Sequence, residues 1–104
     1  MSEREGRRVY YRMQEKGISF KDMMNWVSTD WGTGESCGEG LAACDTPDAL
    51  KWLAREWYGH NLPHDQEVVI FWATPIRYIG DGWLVNPCSE CDRVDLNEFM
   101  EGYP

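Results

Sequence analysis

Pro87-Cys88-Ser89-Glu90-Cys91 sets two thiols three residues apart, the spacing at which a pair of thiolates grips one zinc ion. Cys37 and Cys44 are the remaining cysteines, and the four together would make an all-thiolate structural site. His60 and His64 are alternative nitrogen ligands, although Pro63 keeps them off a common helical face. A redox role for the CxxC is disfavoured, because the neighbouring Glu90 and Asp92 would raise the thiol pKa and withhold the reactive thiolate. Reduced, idle thiols are the plain alternative to a metal. For nucleophilic or acid–base catalysis the two histidines are the only imidazoles, with Asp65 and Glu67 nearby. Such a grouping is common in solvated loops, and no catalytic residue is assigned from it.

Charge and aromatic content point to binding. The net charge of −8 is uneven along the chain. Residues 1–21 carry six basic and three acidic side chains, a balance of +3, and residues 22–104 carry four and fifteen, a balance of −11. A body this acidic repels phosphate backbones, which argues against direct nucleic-acid contact and for a basic protein surface as partner. Six tryptophans are more than a 104-residue core needs, so some are expected outside it as interface anchors. Trp31 and Trp83, with Asp30, Glu35 and Glu39, are the expected contact residues. The competing account is a core that absorbs every ring and an acidity that serves solubility alone.

These groups must be positioned by the elements around them. Val9 to Met13 has the β-branched and aromatic content of a first strand. Ser19 is placed to cap a helix with Asp22 three residues on, over Phe20, Met23, Met24 and Val27 at helical spacing. Residues 30–40 hold four glycines and read as a loop whose carboxylates exclude a phosphate cradle. The apolar run Leu41 to Cys44 then leads into a second helix over Pro47 to Tyr58. Asp45 or Thr46 is its cap, Leu50, Leu53, Ala54 and Trp57 its apolar stripe, and Lys51 and Arg55 its wet side. Gly59 is placed to end it in a left-handed conformation.

Val68 to Trp72 is a continuous apolar run suited to a central strand buried on both faces. Thr74-Pro75 is expected to break it, leaving Ile76 to Ile79 and Trp83 to Val85 as a further pair joined by Gly80-Asp81-Gly82. Asp95 and Glu98 make a capping pattern over Leu96, Phe99 and Met100, a short C-terminal helical turn. The order implies one compact α+β domain over residues 1–104, with residues 1–7 frayed and two main helices against a mostly antiparallel sheet. Residues 1–20 lack a signal-peptide stretch, and no apolar run nears the ~20 residues that span a bilayer. A cytoplasmic protein with reduced cysteines and no membrane contact is therefore expected, with no cofactor beyond the structural zinc the cysteines could hold. Oligomeric state is left open.

Cys37-x-x-Gly40-Leu41-Ala42-x-Cys44 followed by Thr46-Pro47 and a helix resembles a motif of small phage and prophage proteins, Cys-x-x-Gly-Leu-His-x-Cys, with Ala42 at the His position. The likeness spans about twenty residues and implies a mobile-element origin more than an activity; taken with the acidic body and the surplus indoles, it leads to the expectation of an inhibitor of a host defence or nucleic-acid-processing machine. The layout also resembles, more distantly, an ADP-ribosyltransferase-type fold. That likeness implies an NAD-binding enzyme in which Arg12 clamps a phosphate, Ser28 positions the ribose, and Glu67 or Glu98 stabilises the oxocarbenium ion. The favoured expectation is a non-enzymatic acidic binder.

Overall fold

The structure, a computed structural model, describes residues 7–24, 40–80 and 82–102. Strand β1 (Arg8–Glu15) alternates as its sequence requires: Tyr10 enters one buried cluster, and Met13, with Val9 and Tyr11, packs into another on the opposite face. Helix α1 (Phe20–Met24) starts where Ser19 accepts at Oγ from the Asp22 amide at 3.1 Å. Val27, expected on the same helix, lies outside the described residues, as do most of the glycine-rich segment and residues 1–6.

Strand β2 (Leu41–Ala43) is wholly buried and leads into helix α2 (Pro47–Tyr58). Of the two cap candidates Thr46 is the one used: its backbone is extended, and its Oγ1 accepts from the Ala49 amide at 3.1 Å. Leu50, Leu53 and Ala54 are buried as expected. Trp57 is not; it is exposed and meets Tyr58 edge-on at 6.3 Å. Lys51 departs from expectation in the opposite sense. It is partly buried, its stem laid along the apolar surface and its Nζ 5.7 Å from the Phe99 ring centre. Gly59 has the expected positive φ of 60°, but a ψ of −124° takes it out of the left-handed helical region.

A long hairpin forms the rest. Strands β3 (Gln66–Tyr78) and β4 (Trp83–Asp95) have thirteen residues each. Pro75 does not break β3 as expected. It pairs with Val85, the next residue Ile76 is skipped, and Arg77 resumes against Leu84, so a bulge absorbs the irregularity. Nor does β4 stop at Val85; it continues through the CxxC because Cys88 and Cys91 are themselves skipped residues. Ile70 pairs with Asp92 but Phe71 with Glu90, and Trp72 with Ser89 but Ala73 with Pro87. Helix α3 (Leu96–Gly102) follows directly, capped by Asp95, whose Oδ2 accepts from Asn97 N at 3.0 Å and Glu98 N at 3.4 Å.

The strands form one antiparallel sheet in the order β1-β3-β4-β2. Bulges bend the long strands until the outer ones touch: Tyr11 and Cys44 exchange two backbone bonds of 2.8 Å, and Arg12 Nη1 donates to the Ala42 carbonyl at 2.6 Å. One face buries Met13, Val68 and Ile70 with Leu50, Leu53, Leu96 and Phe99; the other buries Tyr10, Leu41, Val69, Phe71 and Val85 with Met23 of α1. Thus β3 is buried on both faces from Val68 to Phe71, as its apolar run implies, while Trp72 at the end of that run is exposed. The chain is one compact α+β domain built on an antiparallel sheet.

Candidate interaction site

Three of the four cysteines singled out for metal binding lie among the described residues. Cys44 is fully buried in the apolar cluster beneath α2 and α3. Cys88, partly buried, points its Sγ toward the Asn86 carbonyl at 3.7 Å and Thr74 Oγ1 at 4.0 Å. Exposed Cys91 has its pKa raised, first by burial of the thiol and then by Asp92, against a lowering backbone bond from Trp72. Cys37 lies outside the described residues. Among the described residues no group of three or more His, Cys, Asp or Glu is placed to hold a metal ion.

Arg12 and Glu67 share a sheet face, since Arg12 is opposite Val69 and Gln14 opposite Glu67. Both are engaged by protein. The Arg12 guanidinium links β1 to Ala42, and its burial pulls its pKa down to about 10. Glu67 Oε2 accepts from Arg93 Nη1 at 2.8 Å; the same guanidinium reaches Glu90 at 2.8 Å and the Ile18 carbonyl at 2.5 Å. Glu98 is exposed on α3, which packs against the opposite face, and Ser28 lies outside the described residues. Of the three described residues of the enzyme-like set, the sheet puts Arg12 and Glu67 on one face and Glu98 lies elsewhere.

Of the expected contact residues, Trp31, Asp30, Glu35 and Glu39 lie outside the described residues. Trp83 is only partly exposed; it packs on the cluster containing Phe71 and supports the Tyr78 ring at 5.4 Å. Among the described residues the exposed rings are Trp52 at 55% and Tyr78 at 60%, with Trp57 and Trp72 somewhat less open. Trp52 projects from α2 off the Leu50–Leu53–Ala54 stripe. Asp48 and Glu56, both exposed, are one turn before and one turn after it on the same side.

Across from Trp52, the end of the β3–β4 hairpin supplies the other wall of a cleft of about 290 Å³, lined by Asp45, Ala49, Trp52, Tyr78, Gly80 and Gly82. Tyr78 is fixed there by Trp83 and by a hydroxyl bond to the Gly80 carbonyl. Asp45, the one charged group among the described lining residues, is exposed and forms no ion pair among the described residues. Trp52 was findable in the sequence, being the α2 tryptophan at i+4 from Asp48 and i−4 from Glu56. Tyr78 was not, because its approach to α2 depends on the hairpin running through Pro75. Comparison with family models, curated proteins and solved structures returns no match to this chain. No helix among the described residues is long and apolar enough to cross a membrane.

Proposed function

We propose that this protein is a small acidic binder, of phage or prophage type, that holds and blocks a basic protein surface of a host defence or nucleic-acid-processing machine. The observation that carries this reading is Trp52, a large apolar ring open to solvent and in line with Asp48 and Glu56 on α2. Nothing in the packing of α2 requires an indole there, since Leu50, Leu53 and Ala54 already fill its inward side. An exposed aromatic anchor ringed by carboxylates suits a partner rich in Arg and Lys. Such a surface competes with a phosphate backbone for the same basic groove, which is how binding becomes inhibition. The mobile-element origin rests on the Cys37–Cys44 motif. Its described positions seat β2, with Leu41 and Cys44 buried and Gly40 against the Val85 carbonyl.

The test is retention of a partner on immobilised protein at low salt, with release at about 1 M salt, where the Debye length falls to about 3 Å. A stoichiometric partner whose nucleic-acid binding is lost in the complex is the expected result. If a bait carrying Asp48→Asn and Glu56→Gln retains the same proteins equally well, the reading is wrong.

A second reading, an NAD-binding ADP-ribosyltransferase-like enzyme, draws on the shared face of Arg12 and Glu67. It ranks lower because Ala42 and Arg93 already occupy those side chains. Millimolar NAD producing neither heat nor amide shifts would remove it.

A further inference from the structure

The cleft between α2 and the hairpin end has a composition that selects its occupant. Two aromatic side chains, Trp52 and Tyr78, wall it, and Asp45 is the only charge among its described lining residues. Gly80 and Gly82 also line it, and neither adds a side chain beyond hydrogen. Gly80 has a φ of 102°, a conformation that favours glycine and shapes the turn beneath Tyr78. The nearest cations of α2 are directed elsewhere: Lys51 lies over Phe99, and Arg55 lines a separate cavity with Gly59, His60, Leu62 and Met100.

An aromatic wall beside an unpaired carboxylate attracts an organic cation, through the ring quadrupole and through charge. A guanidinium satisfies both at once, because it is planar enough to stack on an indole and forked enough to bond a carboxylate with two N–H groups. An ammonium is a more strongly hydrated point charge and gains less from the ring. The cleft is at the small end of ligand clefts, of about 300–1,000 Å³, which suits one side chain better than a large cofactor. Its walls are also held before any ligand arrives. Thr46 caps the start of α2 beside Asp45, and Trp83 and the Gly80 carbonyl hold Tyr78.

We propose that this cleft receives an arginine side chain from a basic segment of the partner protein, its guanidinium stacked on Trp52 and paired with Asp45. The proposal rests on the reading of the molecule as a binder of basic protein surfaces and names the contact that would anchor it.

The full chain is titrated with an N-acetylated hexa-arginine amide and with the hexa-lysine peptide of equal charge, by calorimetry and by the indole N–H signals. Arginine binding several-fold tighter than lysine is expected, with the Trp52 signal moving. Trp52→Ala and Asp45→Asn each weaken the arginine peptide roughly 3–30-fold, the span of a cation–π or charge contact. Trp57→Ala, which removes an exposed ring of the same helix outside the cleft, leaves it within about twofold. Both cleft residues are exposed, and unchanged thermal melting of the variants checks that they fold. Equal affinity for the two peptides, unaffected by Trp52→Ala, overturns the cleft assignment while leaving a basic-surface binder standing. No binding of either peptide at low salt overturns both.

Discussion

The two ends of the β3–β4 hairpin are built from similar residue types and use them in opposite ways. At the end nearest β1 and α3, Val68, Val69, Ile70 and Phe71 are enclosed on both sheet faces, and the nearby carboxylates have partners: Glu67 is held by Arg93 and Asp95 by Lys16. At the turn end, Ile76 and Tyr78 are exposed, Trp52 of α2 lines a cleft with Tyr78, and Asp45 has no ion-pair partner among the described residues. Apolar surface left in water forgoes about 25 cal/mol per Å² of burial. The first end accounts for the fold, and the second has residues the fold does not use. The interaction site proposed at the turn rests on that contrast.

Its largest consequence is a difference in the cost of losing an aromatic ring. Phe71 is fully buried and tilted against Phe20 at 5.9 Å, so Phe71→Ala should cost about 3–5 kcal/mol. Tyr78→Ala should cost about 0.5–1 kcal/mol, the value of its edge contact with Trp83. Urea midpoints compare the two directly. A Tyr78→Ala loss equal to that of Phe71→Ala would mean that the turn end is core, and the contrast would collapse.

An intermediate effect tests the seam that joins the two ends. Gly40 precedes β2 where a Cβ would meet the Val85 carbonyl oxygen at 2.6 Å and Ile76 Cδ1 at 2.8 Å. The Ile76 methyl can move, but the oxygen belongs to the backbone of a paired strand. Gly40→Ala should therefore push β2 away from β4 and cost about 1–3 kcal/mol. Hydrogen exchange should locate the damage at Leu41 to Ala43 and Trp83 to Val85 and leave the β1–β3 pairing protected. Uniform loss of protection would show that the sheet opens as one unit.

Much of this architecture could be read in advance, for reasons that are local. The caps at Ser19, Thr46 and Asp95 are signalled by side chains beside the amides they bond, and the apolar run at Val68 has few alternatives to a central strand. What escaped depends on register. Pro75 reads as a break because proline lacks an N–H, yet a bulge at Ile76 accommodates it. Val85 reads as the end of its strand because Pro87 and the CxxC follow, yet register shifts at Cys88 and Cys91 carry β4 on to Asp95. The site was half legible for the same reason: acidity and surplus indoles are compositional, whereas the choice of Trp52 over Trp83 depends on which ring the hairpin covers.

The smallest effect concerns how carboxylates are treated at the two ends. Asp95 makes two kinds of contact, an ion pair with Lys16 and a cap on α3. The Lys16 bond is the main reason its pKa lies below the usual carboxylate value. A depressed folded-state pKa means that the unfolded chain takes up its proton first on acidification. The contribution is thus complete above the unfolded value of about 3.9 and disappears as pH falls through the folded one. Asp95→Asn keeps an acceptor oxygen for the cap and removes only the charge. Because the pair is partly open to solvent, the substitution should cost about 0.2–1 kcal/mol near neutral pH, less in high salt, and almost nothing once the pH has fallen through the lowered folded-state value. Asp45→Asn, at the other end, should leave stability unchanged across the same pH range, because Asp45 makes no ion pair among the described residues. A pH-dependent loss in Asp45→Asn as large as that in Asp95→Asn would reveal a folding role for Asp45. It would also remove the distinction between carboxylates bound within the fold and those left for a partner.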